Sequence, residues 1–255
     1  MKIDFPEHPD IVIKNDGSIS IEECVQLIAN YKVADKDSVY RDVEYWNQYY
    51  NKHLTMLENA ESNFAKYCMY SYMQAGTTLV EFGCGNGRDS LFFASRGIDV
   101  LGIDTSGNVI EMLNKMNTYV NARFLCEDFS GKIAIFQVQH DYCYSRFTLH
   151  AITERQEKYA LQNAWNTLKA GGMFFIEARS IKDDICGLGE CVGRNSYIHD
   201  GHFRRFINRE ELLDKLRAVG FEIIYEEEGR GFAPYKNQDP ILIRIVAKKV
   251  DAVQM

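Results

Sequence analysis

Proline is scarce in this chain, with four among 255 residues, and tryptophan is scarcer still, with two. No apolar run approaches the roughly 20 residues that a bilayer-spanning helix needs. Nor does an apolar leader core follow Met1-Lys2-Ile3-Asp4-Phe5-Pro6, so no membrane partner is expected. The seven cysteines (Cys24, Cys68, Cys84, Cys126, Cys143, Cys186 and Cys191) are an odd set without one Cys-x-x-Cys pair. That argues against a disulfide-framed secreted domain and against the common zinc spacings. Several sit in apolar runs, where free thiols pack as small hydrophobes, and the expected compartment is the reducing cytoplasm. Basic residues are in deficit, 29 Lys and Arg against 36 Asp and Glu, for a formal net charge of -7. Nucleic acid selects a basic face, so none is expected as a partner. No internal repeat or low-complexity tract is visible.

What is present suits one large α/β domain with an appendage: 46% hydrophobic and 25% charged residues are ordinary for a globular chain. Residues 1–18 read as an irregular lead-in that ends in the turn signal Asn15-Asp16-Gly17-Ser18. Residues 20–75 carry helical spacing (Cys24, Leu27 and Ile28; Tyr45, Trp46, Tyr49 and Tyr50; Leu54, Leu57 and Phe64), which predicts two or three helices. From 78 onward the pattern alternates. Strands are expected at 78–82, 98–103, 121–125, 140–146, 172–178, 221–228 and 240–248, with helices near 87–96, 107–117, 153–168 and 208–219. Seven strands with interleaved helices predict a doubly wound, mostly parallel sheet. The link from Gly229 to Gln238, holding Gly231, Pro234 and Asn237, lacks a helix, so the last strand should be antiparallel. The expected division is a helical cap over 1–75 and the α/β domain over 76–255.

The most informative stretch is Leu79-Val80-Glu81-Phe82-Gly83-Cys84-Gly85-Asn86-Gly87-Arg88-Asp89-Ser90. An apolar strand runs into three glycines at alternate positions, and a helix pattern then begins. Glycines are needed where a ligand approaches the backbone or φ is positive, and the carboxyl end of a strand is where α/β sheets bind ligands. The dinucleotide fingerprint Gly-x-Gly-x-x-Gly requires its third glycine where this chain has Arg88, and Glu81 fits poorly beside a pyrophosphate. A carboxylate there suits a ligand with a cationic group. Asp104 follows about 20 residues on, at the end of the second strand, as ribose hydroxyls require. Asp128 and Phe129 follow the third strand, where an acid can accept from an adenine amino group.

Glu81 to Gly87, Asp104 and Asp128 together resemble motifs I, II and III of the class I S-adenosylmethionine (SAM)-dependent methyltransferases, over about residues 75–250. The resemblance implies a Rossmann-like domain that binds SAM and releases S-adenosylhomocysteine. It implies that Gly83, Cys84, Gly85 and Gly87 pass the methionine moiety and that Glu81 shapes the bend. Asp104 and Thr105 would hold the ribose, Asp128 and Phe129 would flank the adenine, and Arg88 would meet the methionine carboxylate. Ser145 and Arg146 would stand where cofactor and acceptor meet. The stretch Asp141 to Ile152 resembles motif IV, including a Leu149-His150 pair. The segment Gly201 to Ile207 also resembles methyltransferases of bacterial surface-polysaccharide clusters, some associated with O-methyl phosphoramidate decoration of capsules.

Methyl transfer from a sulfonium needs in-line alignment, with a base if the acceptor is a hydroxyl. His150 is the first candidate for that base, or a structural histidine capping the next helix; Tyr50 and Arg179 are further candidates at the reacting centre. Residues 180–207, with Gly187, Gly189 and Gly193, are long and polar for a connection and read as an acceptor-binding insertion. Arg146, Arg179, Arg194, Arg204 and Arg205 make the region cationic, which points to a small anionic, phosphorylated or nucleotide-linked acceptor methylated at oxygen. Tyr197, His199 and His202 are expected beside it, with Tyr40 and Tyr50 from an aromatic N-terminal lid that also brings Trp46 over the cofactor. His199-Asp200-x-His202 is too short a set to predict a metal. A nicotinamide-dependent oxidoreductase and a non-catalytic SAM-binding module are the alternatives. The chain is expected to be a monomer or a homodimer.

Overall fold

The structure is a computed structural model that describes Ser20 and residues 43–52, 60–131 and 138–250. The described residues from 43 on belong to one compact unit. Its centre is a seven-stranded sheet of order β3-β2-β1-β4-β5-β10-β9. The strands are β1 (Thr78–Phe82), β2 (Asp99–Asp104), β3 (Ala122–Cys126), β4 (His140–Arg146), β5 (Leu168–Arg179), β9 (Phe221–Gly229) and β10 (Leu242–Lys249). β1 to β5 pair in parallel, whereas β10 lies antiparallel between β5 and β9. This is the expected Rossmann-like sheet, and the non-helical link before β10 is what reverses it.

The central strands are apolar on both faces because helices cover both. β1 is buried at Leu79, Val80, Glu81 and Phe82, and β10 at its first six positions. α5 (Glu154–Thr167) and α6 (Arg209–Val219) pack one face through Leu161, Leu212 and Leu216. α2 (Asn63–Tyr72), α3 (Arg88–Ser95) and α4 (Gly107–Met116) pack the other through Phe64, Phe93 and Leu113. Local signals fix the helix ends. Thr153 and Gln156 form a capping box at α5, Asn208 caps α6, and left-handed Gly220 ends it. α2 begins at Ser62, whose hydroxyl accepts from the Ala65 N–H, and its Phe64, Ala65 and Cys68 are wholly buried in the core. Farther upstream lies α1 (Val43–Lys52). No described helix is long and apolar enough to cross a membrane.

The expected insertion at 180–207 holds more order than its polarity suggests. β6 (Glu190–Gly193), β7 (Ser196–His199) and β8 (His202–Arg205) form a separate three-stranded antiparallel sheet. Asp200 and Gly201 both have positive φ (53° and 70°) in the two-residue turn from β7 to β8, the geometry that right-twisted hairpins favour. Asp-Gly between short runs was the available signal. Strands of four residues are too short for alternation to announce them.

Beneath the sheet's carboxyl edge, Glu177 of β5 is 1% exposed and is bonded by two guanidinium groups, Arg146 Nε at 2.8 Å and Arg244 Nε at 2.7 Å. The Arg244 guanidinium also lies over the rings of Phe232 and Phe64, 4.3 and 5.1 Å from their centroids. A buried carboxylate is tolerable only with such partners. Glu177→Gln leaves two desolvated cations sharing no anion and should cost about 3–5 kcal/mol in urea denaturation. A loss below about 1 kcal/mol, the range of exposed pairs, would show that water already screens this network.

Candidate active site

Strand order reverses between β1 and β4, because β1 leads toward β2 and β3 while β4 leads toward β5. The crevice at that reversal is where open α/β sheets bind ligands. From β1 the chain enters the bend Gly83–Gly87, and Gly83, Gly85 and Gly87 all have positive φ (67°, 52° and 74°). A Cβ on Gly85 would stand 2.5 Å from the Tyr50 hydroxyl, and one on Gly87 would stand 2.6 Å from the Leu113 side chain. Gly85 therefore lets the Tyr50 hydroxyl of α1 approach the bend closely, and Gly87 lets the loop enter α3 against α4.

Of the acids expected at successive strand ends, Asp104 reaches this bend. Asp104 Oδ2 accepts from the Gly85 N–H and Oδ1 from the Ser106 N–H, both at 2.9 Å. Burial raises the Asp104 pKa, and these backbone donors oppose that rise. Asp128 Oδ1 accepts from the Ser130 N–H at 2.9 Å and from its hydroxyl at 2.6 Å. A carboxylate offers about four acceptor positions, and the bonds from the Gly85 and Ser106 N–H groups hold Asp104 beside Gly85. Thr105 lies between Asp104 and the buried Ser106. Phe129 sits differently from the expectation that it would flank adenine. Its ring is 6% exposed and stacks on Phe82 at 5.2 Å, inside the core.

Under the bend, Glu81 is buried and accepts a hydrogen bond from the Ser90 hydroxyl. Burial first and Asp89 second push its pKa well up. Asp89 accepts from the Ser62 N–H at 2.7 Å, the Ser62 hydroxyl at 2.7 Å and the Tyr144 hydroxyl at 2.9 Å. Arg88 is tied to this acidic floor, with Nε 3.9 Å from Asp89. Cys84 is buried, and burial raises its thiol pKa, which makes it a packing residue.

α1 lies across the site. Asn47 accepts from the Ser106 hydroxyl at 2.7 Å, Tyr50 reaches Gly85, and Trp46 stacks on Tyr50 at 6.0 Å. At its other end Tyr45 stacks on His202 of β8 at 4.5 Å, and Trp46 meets the same ring edge-on at 5.3 Å. Tyr40 lies outside the described residues. Sequence reasoning missed Asn47, for which no pattern exists, and the stacking of Tyr45 on His202, which joins residues 157 positions apart.

On the β4 side, Ser145 is buried and bonded to the Thr148 hydroxyl. Arg146 is held by Glu177 and lies 4.1 Å from the centroid of Phe147, itself at positive φ. His150 sits on the short turn Leu149–Ala151, buried, with Nδ1 accepting from the Arg179 N–H at 3.4 Å. Burial first, then Arg179, His202, Arg204 and Arg205, hold the imidazole pKa well below its usual value. With Nδ1 occupied as an acceptor, the proton of the neutral ring is on Nε2. From that tautomer the ring would donate to a ligand at Nε2.

The arginines do not act as one group. Arg205 points away from the crevice: its Nε bonds the Ile152 carbonyl at 2.9 Å, and its Nη2 bonds the Leu149 carbonyl at 3.0 Å and the Glu157 carboxylate. Instead of binding an acceptor, it holds the turn that carries His150. Arg194 is exposed and paired with Glu211, outside the cluster around His150. Arg179 is bonded to Asp183 at 3.1 Å. His199 pairs with Asp200 at 3.3 Å, and Tyr197 packs 6.0 Å from Phe206. The described residues bring His150, Arg179, His202 and Arg204 into one electrostatic cluster. Among them, no group of three or more His, Cys, Asp or Glu side chains is arranged to hold a metal.

Comparison with known proteins agrees with this geometry. The methyltransferase domain family matches residues 79–172. The probable S-adenosyl-L-methionine-dependent methyltransferase TehB of Haemophilus influenzae (strain 10810) is 25% identical over 107 residues, which are 42% of this chain and 37% of that protein. The chain thus spans little over a third of that relative's length. A SAM-dependent methyltransferase from Methanosarcina mazei superposes with a TM-score of 0.62 at 18% identity, covering 71% of this chain and 96% of its own. The 1,6-didemethyltoxoflavin-N1-methyltransferase of Burkholderia thailandensis, solved with 1,6-didemethyltoxoflavin and S-adenosylhomocysteine, gives 0.57 at 15% identity, covering 92% and 93%. At such identities the two structures speak for the fold. The matched domain and the sequence relative liken residues 79–172 to SAM-dependent methyltransferases, in agreement with the glycine bend they contain.

Proposed function

We propose that this chain transfers the methyl group of SAM to an oxygen of a small, polar, anionic acceptor. The observation that carries the donor half is the bend at Gly85, bonded to Asp104 and without a side chain of its own where Tyr50 comes close. Its residues fit the group: Asp104 and Asp128 would take the ribose hydroxyls and the adenine amino group, and the carboxyl groups of Glu81 and Asp89 lie beneath the bend. Bound there, SAM supplies an electrophilic methyl on a positively charged sulfur. An in-line attack forms the bond from acceptor oxygen to methyl carbon as the bond from sulfur to carbon breaks, leaving neutral S-adenosylhomocysteine. The protein's part is alignment at about 3–3.5 Å, with α1 excluding water.

The acceptor half rests on the cations. An acceptor oxygen that arrives ionised needs no base, which accords with His150 as a donor. Phosphorylated and nucleotide-linked acceptors meet that requirement. A role in bacterial capsule chemistry rests on the resemblance of residues 201–207. A cytoplasmic site accords with the cysteine pattern and the reach of soluble SAM. A nicotinamide cofactor fits less well, because Arg88 occupies the position of the fingerprint's last glycine.

Isothermal calorimetry on the purified chain tests the donor half. SAM and S-adenosylhomocysteine should both bind, and NADH should not. Heat with NADH alone would favour an oxidoreductase, and tight SAM binding without turnover on phosphorylated acceptors would favour a non-catalytic module.

Two further outcomes follow from the pKa directions. Burial raises the Glu81 pKa above its unfolded value, so Glu81 holds its proton to higher pH than a free carboxyl does, and a cationic donor favours release of that proton. The enthalpy of SAM binding should therefore vary with the ionisation enthalpy of the buffer, and Glu81→Gln should remove that variation. Equal enthalpies in phosphate and Tris would contradict it. For His150, nitrogen-15 NMR should show a neutral ring protonated at Nε2 from pH 8 to below its ordinary pKa of about 6.5. Titration near that value would restore the base.

A further inference from the structure

We propose that β8, together with the turn behind it, forms a seat for a tetrahedral dianion of the phosphate type, with Arg204 as its principal ligand and His202, Arg179 and His150 around it. The identification of that dianion as part of the methyl acceptor rests on the reading above; the anion seat itself does not.

Alternate residues of a strand point to opposite faces. Arg205 turns to α5 and the Glu157 carboxylate, so His202 and Arg204 share the other face, and His202 there lies under Tyr45 and Trp46 of α1. Arg204 is half-buried, yet among the described residues it makes no hydrogen bond and no ion pair. The neighbouring arginines are all engaged: Arg146 with Glu177, Arg179 with Asp183, Arg194 with Glu211 and Arg205 with Glu157. Arg204 instead faces a second cation, since desolvation and then Arg179 lower its pKa. The acids closest to it are committed elsewhere. Asp183 binds Arg179 and the Ile185 N–H, and exposed Asp200 lies beside His199. A guanidinium removed from water without an anion is a conflict that a stable fold has no reason to keep.

The charge count says what resolves it. Arg204 and Arg179 against Asp183 leave one positive charge, and two imidazoles stand beside it uncharged. His202 faces Arg204 on its own strand, His199 across the hairpin, Arg179 at the end of β5, His150 on the turn, and Tyr45 and Trp46 on α1. Desolvation, then Arg204 and Arg179, hold its pKa down at about 4. A monoanion would neutralise Arg204 and leave His202 as it is. A dianion reverses the local sign, so His202 takes up a proton and adds a second charged donor. Three or more terminal oxygens also match a guanidinium fork plus imidazole donors better than the two of a carboxylate.

Sulfate is the probe, because it stays dianionic across the pH range, and acetate is the monoanionic comparison. The chain has two tryptophans, so Trp165→Phe leaves Trp46, which touches His202, as the fluorescent reporter. In the full-length Trp165→Phe chain, sulfate should quench Trp46 saturably at constant ionic strength. Its affinity should rise as pH falls from 8 to 6, by up to about tenfold per pH unit, the limit for uptake of one proton. Acetate should bind more weakly and without that slope. Arg204→Gln should lose at least about tenfold in sulfate affinity, as expected for a charge-assisted contact, with Arg204→Lys partly restoring it. His202→Asn should bind sulfate with a flat pH profile. Arg217→Gln, an exposed residue paired with Asp214, should behave like the parent.

No saturable response, or equal sulfate affinity in Arg204→Gln and its parent, overturns the seat. A pH-independent affinity in the parent overturns the dianion. Were Arg204→Gln to unfold, the slope in His202→Asn would still decide. Binding of S-adenosylhomocysteine by calorimetry separates the two levels. If it binds and sulfate does not, the seat fails and the methyltransferase reading stands; if sulfate binds and S-adenosylhomocysteine does not, the reverse holds.

Discussion

Strands β1 and β4 lie side by side, but the chain leaves them toward opposite edges of the sheet. No crossover has to pass over the gap between their carboxyl ends, so that gap is the one place where the backbone of the sheet stays open. The glycine bend departs from β1, and the turn bearing His150 departs from β4. Asp104 and Asp128 extend the crevice toward one edge, and Arg179 and the small β6–β8 sheet extend it toward the other. Helix α1 lies across it and contacts both sides, Gly85 and Ser106 at one end and His202 at the other. The site is a consequence of strand order before it is a consequence of any single side chain.

Charge is distributed along that crevice with opposite signs. Beneath the bend, Glu81 and Asp89 share a buried floor with hydroxyl and backbone donors, and Arg88 at its rim. Past β4 the balance turns positive, and Arg204 is the half-buried guanidinium there that has no carboxylate of its own among the described residues. Buried ions are costly unless paired, and the contrast between the two ends is informative for that reason. Glu177, with an arginine on each oxygen, satisfies the fold. Arg204, with another arginine as its neighbour, does not, and a ligand completes it. A cationic donor and an anionic acceptor are the pair that this gradient favours.

Much of the architecture was legible because period and punctuation agreed along the chain. β1 and β4 appear where the alternation of apolar segments put them, and α5 and α6 fall within the helical spans expected near 153–168 and 208–219. The glycine bend and Asp104 were legible too, because they sit at strand ends in sequence order. The acceptor side was read only in part. Arg204 and Arg205 are adjacent in sequence and look alike, but a strand sends them to opposite faces, and the four-residue strand that does so was hidden in polar residues. Arg146, Glu177 and Arg244 could not be joined without knowing that β4, β5 and β10 are neighbours. The tautomer of His150 depends on a backbone N–H donated 29 residues later.

The central claim is that the bend at Gly83–Gly87 and the acids at the ends of β2 and β3 hold an adenosyl ligand. A crystal structure of the chain with S-adenosylhomocysteine tests it most directly. The account predicts the ribose hydroxyls within about 3 Å of the Asp104 carboxylate, hydrogen-bond distance, the adenine amino group at Asp128, and the amino-acid tail along Gly85 beneath Tyr50. Density for the ligand elsewhere, or a ribose turned away from Asp104, would contradict it.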